Sequence, residues 1–311
     1  MGNVTRKIYF FQIEWVKENG EKIQKDLNFI DSIMDSILGT YSRKILDVGD
    51  DVIFIEKCGT ASNSSLWKME KIRKDDLSLK FDEQQLKEEP LNLGPHEGLA
   101  EPSHFVIFAG KIMGAEYNHH GARWINSKLA RIINDYLSQN PVGGIVRVEI
   151  KPIFKRELYK VLDRLVEIRG ITIKIATNYA KLLINEDPES FGKMFSAAEL
   201  IDGVWLTLSF TIGSRKHIEK SKFEKIMESI RKLLGRSEAA ENLKIMEIRG
   251  KLEGSDSVER LNLLEEMLVS EKRVARLDER SRAADSKSMF KEIIDSYHGF
   301  QDELREYVRG Y

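Results

Sequence analysis

Arg156, Lys160 and Arg164 stand four residues apart. On an α-helix that spacing places three cations on one face, opposite Leu158, Val161, Leu162 and Leu165. Lys151 and Lys155 flank the start of that helix. A cation row of this kind can bridge successive phosphates of a nucleic acid without reading bases. The plainer alternative is a solvated helix face neutralised locally by Glu157, Asp163 and Glu167. A second basic set comprises Arg215, Lys216, Lys220, Lys222 and Lys225, with Arg231, Lys232 and Arg236 beyond. His217 lies inside it and adds charge only at mildly acidic pH. If both sets sit on helices that pack on the same sheet face, they form one continuous patch. A third set, Lys272, Arg273, Arg276, Arg280 and Arg282, is interleaved with Glu271, Asp278, Glu279 and Asp285. Local salt bridging is the reading for it.

Other chemistry is harder to find. His119-His120 with His104 and Glu116 invites a metal site, but adjacent histidines diverge on either a strand or a helix and cannot easily share one ion. Asn118-His119-His120-Gly121 also reads simply as a turn. The sequence contains no His-Glu-x-x-His, no phosphate-loop motif and no Gly-x-Ser-x-Gly elbow. Cys58 is the only cysteine, so neither an intrachain disulfide nor a Cys-based zinc cluster can form. The expectation is a protein without a cofactor, a metal or a catalytic signature.

Charge supports the first idea. The chain has 311 residues, 49 Lys+Arg and 50 Asp+Glu, a net charge of -1. That excludes a uniformly basic nucleic-acid coat protein but not a basic region. Residues 144–236 hold 18 Lys+Arg against 12 Asp+Glu, whereas 1–143 hold 18 against 21 and 237–311 hold 13 against 17. A basic middle in a near-neutral chain points to a polyanionic partner. No uncharged apolar run of membrane-spanning length occurs, and the first residues lack a secretory pattern. The expected location is cytoplasmic.

The elements that must hold these residues follow from periodicity. Residues 6–16 read as an aromatic strand and Asn19-Gly20 as a hairpin turn. Residues 29–38 have helical spacing and end at Gly39; strands follow at 51–57 and 65–73. Residues 74–101 read as loop with one turn of helix. A hairpin over 103–109 and 111–117 and a helix over 123–138 complete an N-terminal mixed α/β domain, residues 1–142. The Asn140-Pro141-Val142-Gly143-Gly144 cluster marks a boundary. Beyond it come a strand at 145–154, a helix at 155–169, a strand at 170–177, an inserted helix at 188–200, a strand at 203–212, a helix at 222–234 and a strand at 243–250. That order predicts a ferredoxin-like split βαβ domain with an insertion, residues 143–311, within an α/β (α+β) class. Its tail adds a strand at 260–272 and a helix at 284–308. The apolar stripe of that helix, Phe290, Ile293, Ile294, Tyr297, Phe300, Leu304 and Tyr307, needs a partner surface and suggests a homodimer.

The segment from Val148 to Leu165, above all Ile150-Lys151-Pro152 and Phe154-Lys155-Arg156, resembles the RexA-like phage-exclusion family. It is also similar to the KwaB-like DNA-associated subunits of bacterial anti-phage defence. The layout is alike too: an N-terminal aromatic strand, a middle hairpin followed by Gly121 and a helix, then an α/β region. The resemblance implies sequence-nonspecific binding of double-stranded DNA, often as a homodimer, in phage exclusion or abortive infection. It implies phosphate contact for the row from Lys155 to Arg164 and names no catalytic residue. The function expected is thus noncatalytic DNA binding through Lys151, Lys155, Arg156, Lys160, Arg164, Arg215, Lys216, Lys220 and Lys222. The alternatives are a subunit that binds a second defence-system protein and has no direct DNA role, and a divergent metal-dependent nuclease.

Overall fold

A computed structural model of the chain describes residues 2–75, 77, 79–186, 188, 192, 195, 196, 198, 204–211, 220–255 and 257–309. Helices and antiparallel sheets are mixed, so the fold is of the α+β class. The chain divides into two units: Met1–Val148 with Val269–Tyr311, and Glu149–Leu268.

In the first unit, strand β1 (Asn3–Lys17) is the spine. Its run from Ile8 to Val16 is almost continuously apolar and buried, which signals a strand covered on both faces. On one face Trp15 meets Phe29 edge-on at 4.9 Å; on the other Phe10 meets Phe300 at 5.6 Å. The Asn19-Gly20 turn forms as expected and leads to β2 (Lys22–Ile23), with Gly20 at φ 81°. Helix α1 (Leu27–Leu38) begins where the Asp26 carboxylate accepts from the Phe29 N–H and ends at Gly39, φ 71°. Such a cap stabilises a helix by about 1 kcal/mol. Ile30, Ile33, Met34 and Ile37 make its buried face. Then β3 (Arg43–Val48), β4 (Asp51–Ala61) and β5 (Ser64–Arg73) form a meander. Residues 74–98 contain a small hairpin, β6 (Lys80–Asp82) with β7 (Lys87–Glu89), rather than the expected helical turn. Next come β8 (Leu99–Phe108), β9 (Ile112–Tyr117) and α2 (Ile125–Gln139), then β10 (Ile145–Pro152), which leaves the unit after Val148. The sheet runs β10-β1-β9-β8-β5-β4-β3, with β2 also on β1.

The β8–β9 turn is held by Gly110 at φ 73°, and a Cβ there would collide with the backbone carbonyl of Asp26, the cap of α1. Gly110→Ala is therefore expected to cost more than the roughly 1–3 kcal/mol of a strained left-handed residue. Denaturant unfolding measures it; a loss under about 1 kcal/mol would show that the turn relaxes freely.

In the second unit, α3 (Arg156–Asp163) is half the expected length. It gives way at Leu165 to the long strand β11 (Leu165–Ala176), followed by α4 (Thr177–Glu186), β12 (Trp205–Thr211), α5 (Lys220–Leu234), the one-turn α6 (Ala239–Asn242), β13 (Leu243–Leu252) and β14 (Val258–Asn262). The sheet order is β12-β11-β13-β14, and every described pairing in it is antiparallel. A ferredoxin-like unit requires right-handed βαβ crossovers within one sheet. Here β10, its expected first strand, belongs to the β1 sheet instead. The class is as read; the ferredoxin-like connectivity is corrected. Most of the inserted helix expected at 188–200 lies outside the described residues.

The C-terminus returns to the first unit. The expected single strand at 260–272 is two, β14 and β15 (Val269–Ala275), separated by a turn that buries Leu263, Met267 and Leu268. Strand β15 pairs antiparallel with β1, from Asn3↔Ala275 to Tyr9↔Val269. The expected long helix is also two, α7 (Ser286–Gly299) and α8 (Gln301–Arg309). Phe290, Ile293 and Leu304 are buried, and Tyr297 stacks on Phe108 at 3.8 Å. These members of the stripe are thus covered within their own chain and need no second copy to bury them; the side chain of Tyr307 lies outside the described residues. The division also differs from the expected 1–142 and 143–311. Pro141–Gly144 forms a tight turn into β10, closed by a Val142↔Ile145 bridge, not a linker. Residues 269–311 join the first unit because β1 offers β15 a free edge, His104 and Phe108 give α7 a floor, and Phe10 receives Phe300 just beyond the helix.

Candidate functional site

The basic row is partly dispersed. Arg156 and Lys160 are exposed on α3, while Leu158 and Leu162 are buried beneath it. Arg164 is no longer on the helix: it is the C-cap, and its Nη2 donates to the Glu253 carbonyl at 3.3 Å. Lys151 lies on β10 within 2.8 Å of Glu149, with its side chain 15% exposed. Lys155, the N-cap residue of α3, pairs with Glu266 at 3.4 Å. Arg215 and Lys216 lie outside the described residues; of Lys220 and Lys222 only the backbone, in the first turn of α5, is described. What does come together is α3 and α5. Arg231 on α5 bonds Asp163 at 2.7 Å, and Leu162, Leu165 and Met227 line a shallow groove of about 240 Å³ between them. Lys232 on the same helix pairs with Glu228 at 3.3 Å.

The electrostatics of the whole unit are weaker than the sequence block suggested. Residues 149–268 hold 21 Lys+Arg and 20 Asp+Glu, a net +1. The reason is that β13, β14 and the turn after them fold with the basic segment and bring Glu247, Glu265 and Glu266 to it. Glu157, Glu247, Glu265 and Glu266 line a second cavity, of about 460 Å³, beside α3.

The best-built polar cluster lies elsewhere, in the first unit. Ile8 pairs opposite Glu116 across β1 and β9. Phe105 pairs opposite Ala115 across β8 and β9, so His104 is the next residue facing Glu116. The pleat therefore puts Arg6, His104 and Glu116 on one face. Helix α7 packs on that face, with Phe290 edge-on to the His104 ring at 5.1 Å. Glu116 is fully buried and fully partnered. Its Oε1 accepts from Arg6 Nε at 2.7 Å; its Oε2 accepts from the His104 backbone N–H at 3.1 Å and lies 2.7 Å from His104 Nδ1. His104 Nε2 is 2.8 Å from Ser286 Oγ, at the first position of α7. A carboxylate only accepts, so Nδ1 carries the proton and Nε2 presents its lone pair to the Ser286 hydroxyl. Arg6 Nη2 also donates to the Arg282 carbonyl at 2.5 Å, tying in the loop before α7.

The histidines considered for a metal part company here. His104 and Glu116 meet, but His119 and His120 are exposed on the turn before α2. His120 Nε2 lies 3.2 Å from Arg282 Nη1; partial desolvation, then the Arg282 charge, lowers its pKa. Among the described residues no group of His, Cys, Asp or Glu is placed to hold a metal. Cys58 is pushed up to about 11 by desolvation and by Glu56, which leaves it a thiol at neutral pH. Ser286 carries no sequence signal of its own: it is 182 residues from His104, and only the packing of α7 brings them together. The Arg6 contact to Glu116 also spans a long stretch of chain, 110 residues, whereas His104 and Glu116 could be paired from the hairpin register.

Among the described residues no helix is long and apolar enough to cross a membrane. A search of curated proteins finds no match. A family model described as a family of unknown function, DUF6731, matches residues 3–304, and the chain belongs to that family.

Proposed function

We propose that this chain binds double-stranded DNA without base preference and acts in bacterial anti-phage defence, in the cytoplasm. The observation that supports the reading most is the seating of α5 beside α3 through Arg231 and Asp163. Arg156, Lys160, Arg164, Arg231 and Lys232 are thereby exposed on adjoining elements. The resemblance of residues 148–165 to phage-exclusion proteins supports the same surface and the defence role. Lys151 and Lys155, each paired with a glutamate, are secondary contacts. The carboxylates among these cations, Glu157, Asp163 and Glu228, keep the number of phosphates engaged small.

The test is a titration of two unrelated duplexes by fluorescence anisotropy at several salt concentrations. A face that engages about three to five phosphates gives a log-log salt slope of about -3 to -5. Both duplexes should bind alike. Absence of binding at the lowest salt, or a slope near zero, would remove the DNA reading and leave a protein partner as the better account.

A further inference from the structure

We propose that Ser286 is an activated nucleophile, driven by His104 and Glu116, and that the first unit forms acyl-enzyme intermediates from carboxylic esters bearing an anionic group. Every link of a serine relay is present at bonding distance: Ser286 Oγ to His104 Nε2 at 2.8 Å and His104 Nδ1 to Glu116 Oε2 at 2.7 Å. The base is oriented by a third group, and that group is itself held by Arg6. Burial of His104 and Glu116 keeps the imidazole from turning, whereas Ser286 is only half-buried and can meet a substrate.

The surroundings fit the step. Ser286 and Lys287 are the first two residues of α7, so their N–H groups have no acceptor within the helix. Asp285 takes the Ser288 N–H at 2.8 Å, leaving those two donors for an oxyanion next to the nucleophile. Arg282, exposed in the segment leading into α7, supplies positive charge for an anionic substrate.

The chemistry balances without a cofactor. Ser286 Oγ attacks the ester carbonyl carbon as its proton passes to His104 Nε2, and Glu116 stabilises the imidazolium. Collapse of the tetrahedral intermediate breaks the bond to the alkoxy oxygen, which leaves as the alcohol with the proton from His104. Water then attacks the acyl group, gives its proton to His104 and releases the acid, and Ser286 recovers its proton.

The experiment uses the full chain and a fluorophosphonate probe. There Ser286 Oγ displaces fluoride from phosphorus, and the adduct is mapped by mass spectrometry. Wild type should be labelled once, at Ser286; Ser286→Ala should not be labelled, and Ser288→Ala should be labelled as wild type is. His104→Gln should slow labelling by about 10²–10⁴-fold. Should that variant fail to fold, the pH profile of wild-type labelling serves instead: a rate that needs a general base must fall toward acid. Folded wild type that stays unlabelled, labelling that persists in Ser286→Ala, or a pH-independent rate would overturn the proposal and leave the cluster as a purely structural tie. DNA binding is measured separately and does not depend on either result.

Discussion

Glu116→Ala is expected to destabilise the first unit by about 3–5 kcal/mol, the cost of breaking a buried ion pair from one side. The physical reason is the accounting at one carboxylate. Three donors converge on it: Arg6 Nε, the His104 N–H and His104 Nδ1. The Arg6 side chain is 12% exposed and His104 is fully buried, so water replaces the lost acceptor poorly. Glu116→Gln keeps the shape and one acceptor oxygen, and should cost clearly less, because a neutral amide still satisfies part of the set. The measurement is thermal unfolding followed by circular dichroism at neutral pH. At about 2–4 °C per kcal/mol for a unit of this size, the Ala variant should melt roughly 10 °C lower. A shift of no more than 2 °C would show that the cluster does not hold α7 on the sheet.

That cluster also marks the limit of what the amino-acid order discloses. Local signals were legible where one strong feature dominated. The Ile8–Val16 run, Gly39 and the Asn19-Gly20 turn all specify their elements without help from distant residues. Leu158, Val161, Leu162 and Leu165 also have true helical spacing, yet the helix stops at Asp163. The competing term is pairing of β11 with β13: Leu165 opposite Leu252, Glu167 opposite Lys251, Ile168 opposite Gly250. Gly250 permits it, because a Cβ there would collide with the Glu167 carbonyl. A choice settled by a glycine more than 80 positions away is not readable from a local window. The same holds for the Gly143-Gly144 turn, where composition announces a break in periodicity but not whether the chain leaves the unit. Long-range partners decide the site as well: β1 contributes Arg6, the hairpin His104 and Glu116, and α7 Ser286.

Charge reversal on α3 carries the largest expected effect on binding. The variant Arg156→Glu, Lys160→Glu, Arg164→Glu replaces three exposed cations and leaves Leu158 and Leu162 in the core. If each cation engages one phosphate, the log-log salt slope becomes shallower by about 2.7. Over a fourfold rise in salt that difference amounts to about 40-fold in affinity, and new repulsion from three carboxylates lowers binding further, equally for all sequences. The fold should persist, because exposed ion pairs such as Arg231 with Asp163 contribute about 0–1 kcal/mol each. Arg164 is the member most exposed to a structural cost, since its guanidinium bonds the Glu253 carbonyl; Arg156→Glu, Lys160→Glu alone therefore serves as the control, with a slope change of about 1.8. Reversal of Lys155 should matter less than either, because Glu266 already competes for it. A folded triple variant with wild-type affinity and slope would move DNA contact away from α3, and with it the role inferred from the resemblance.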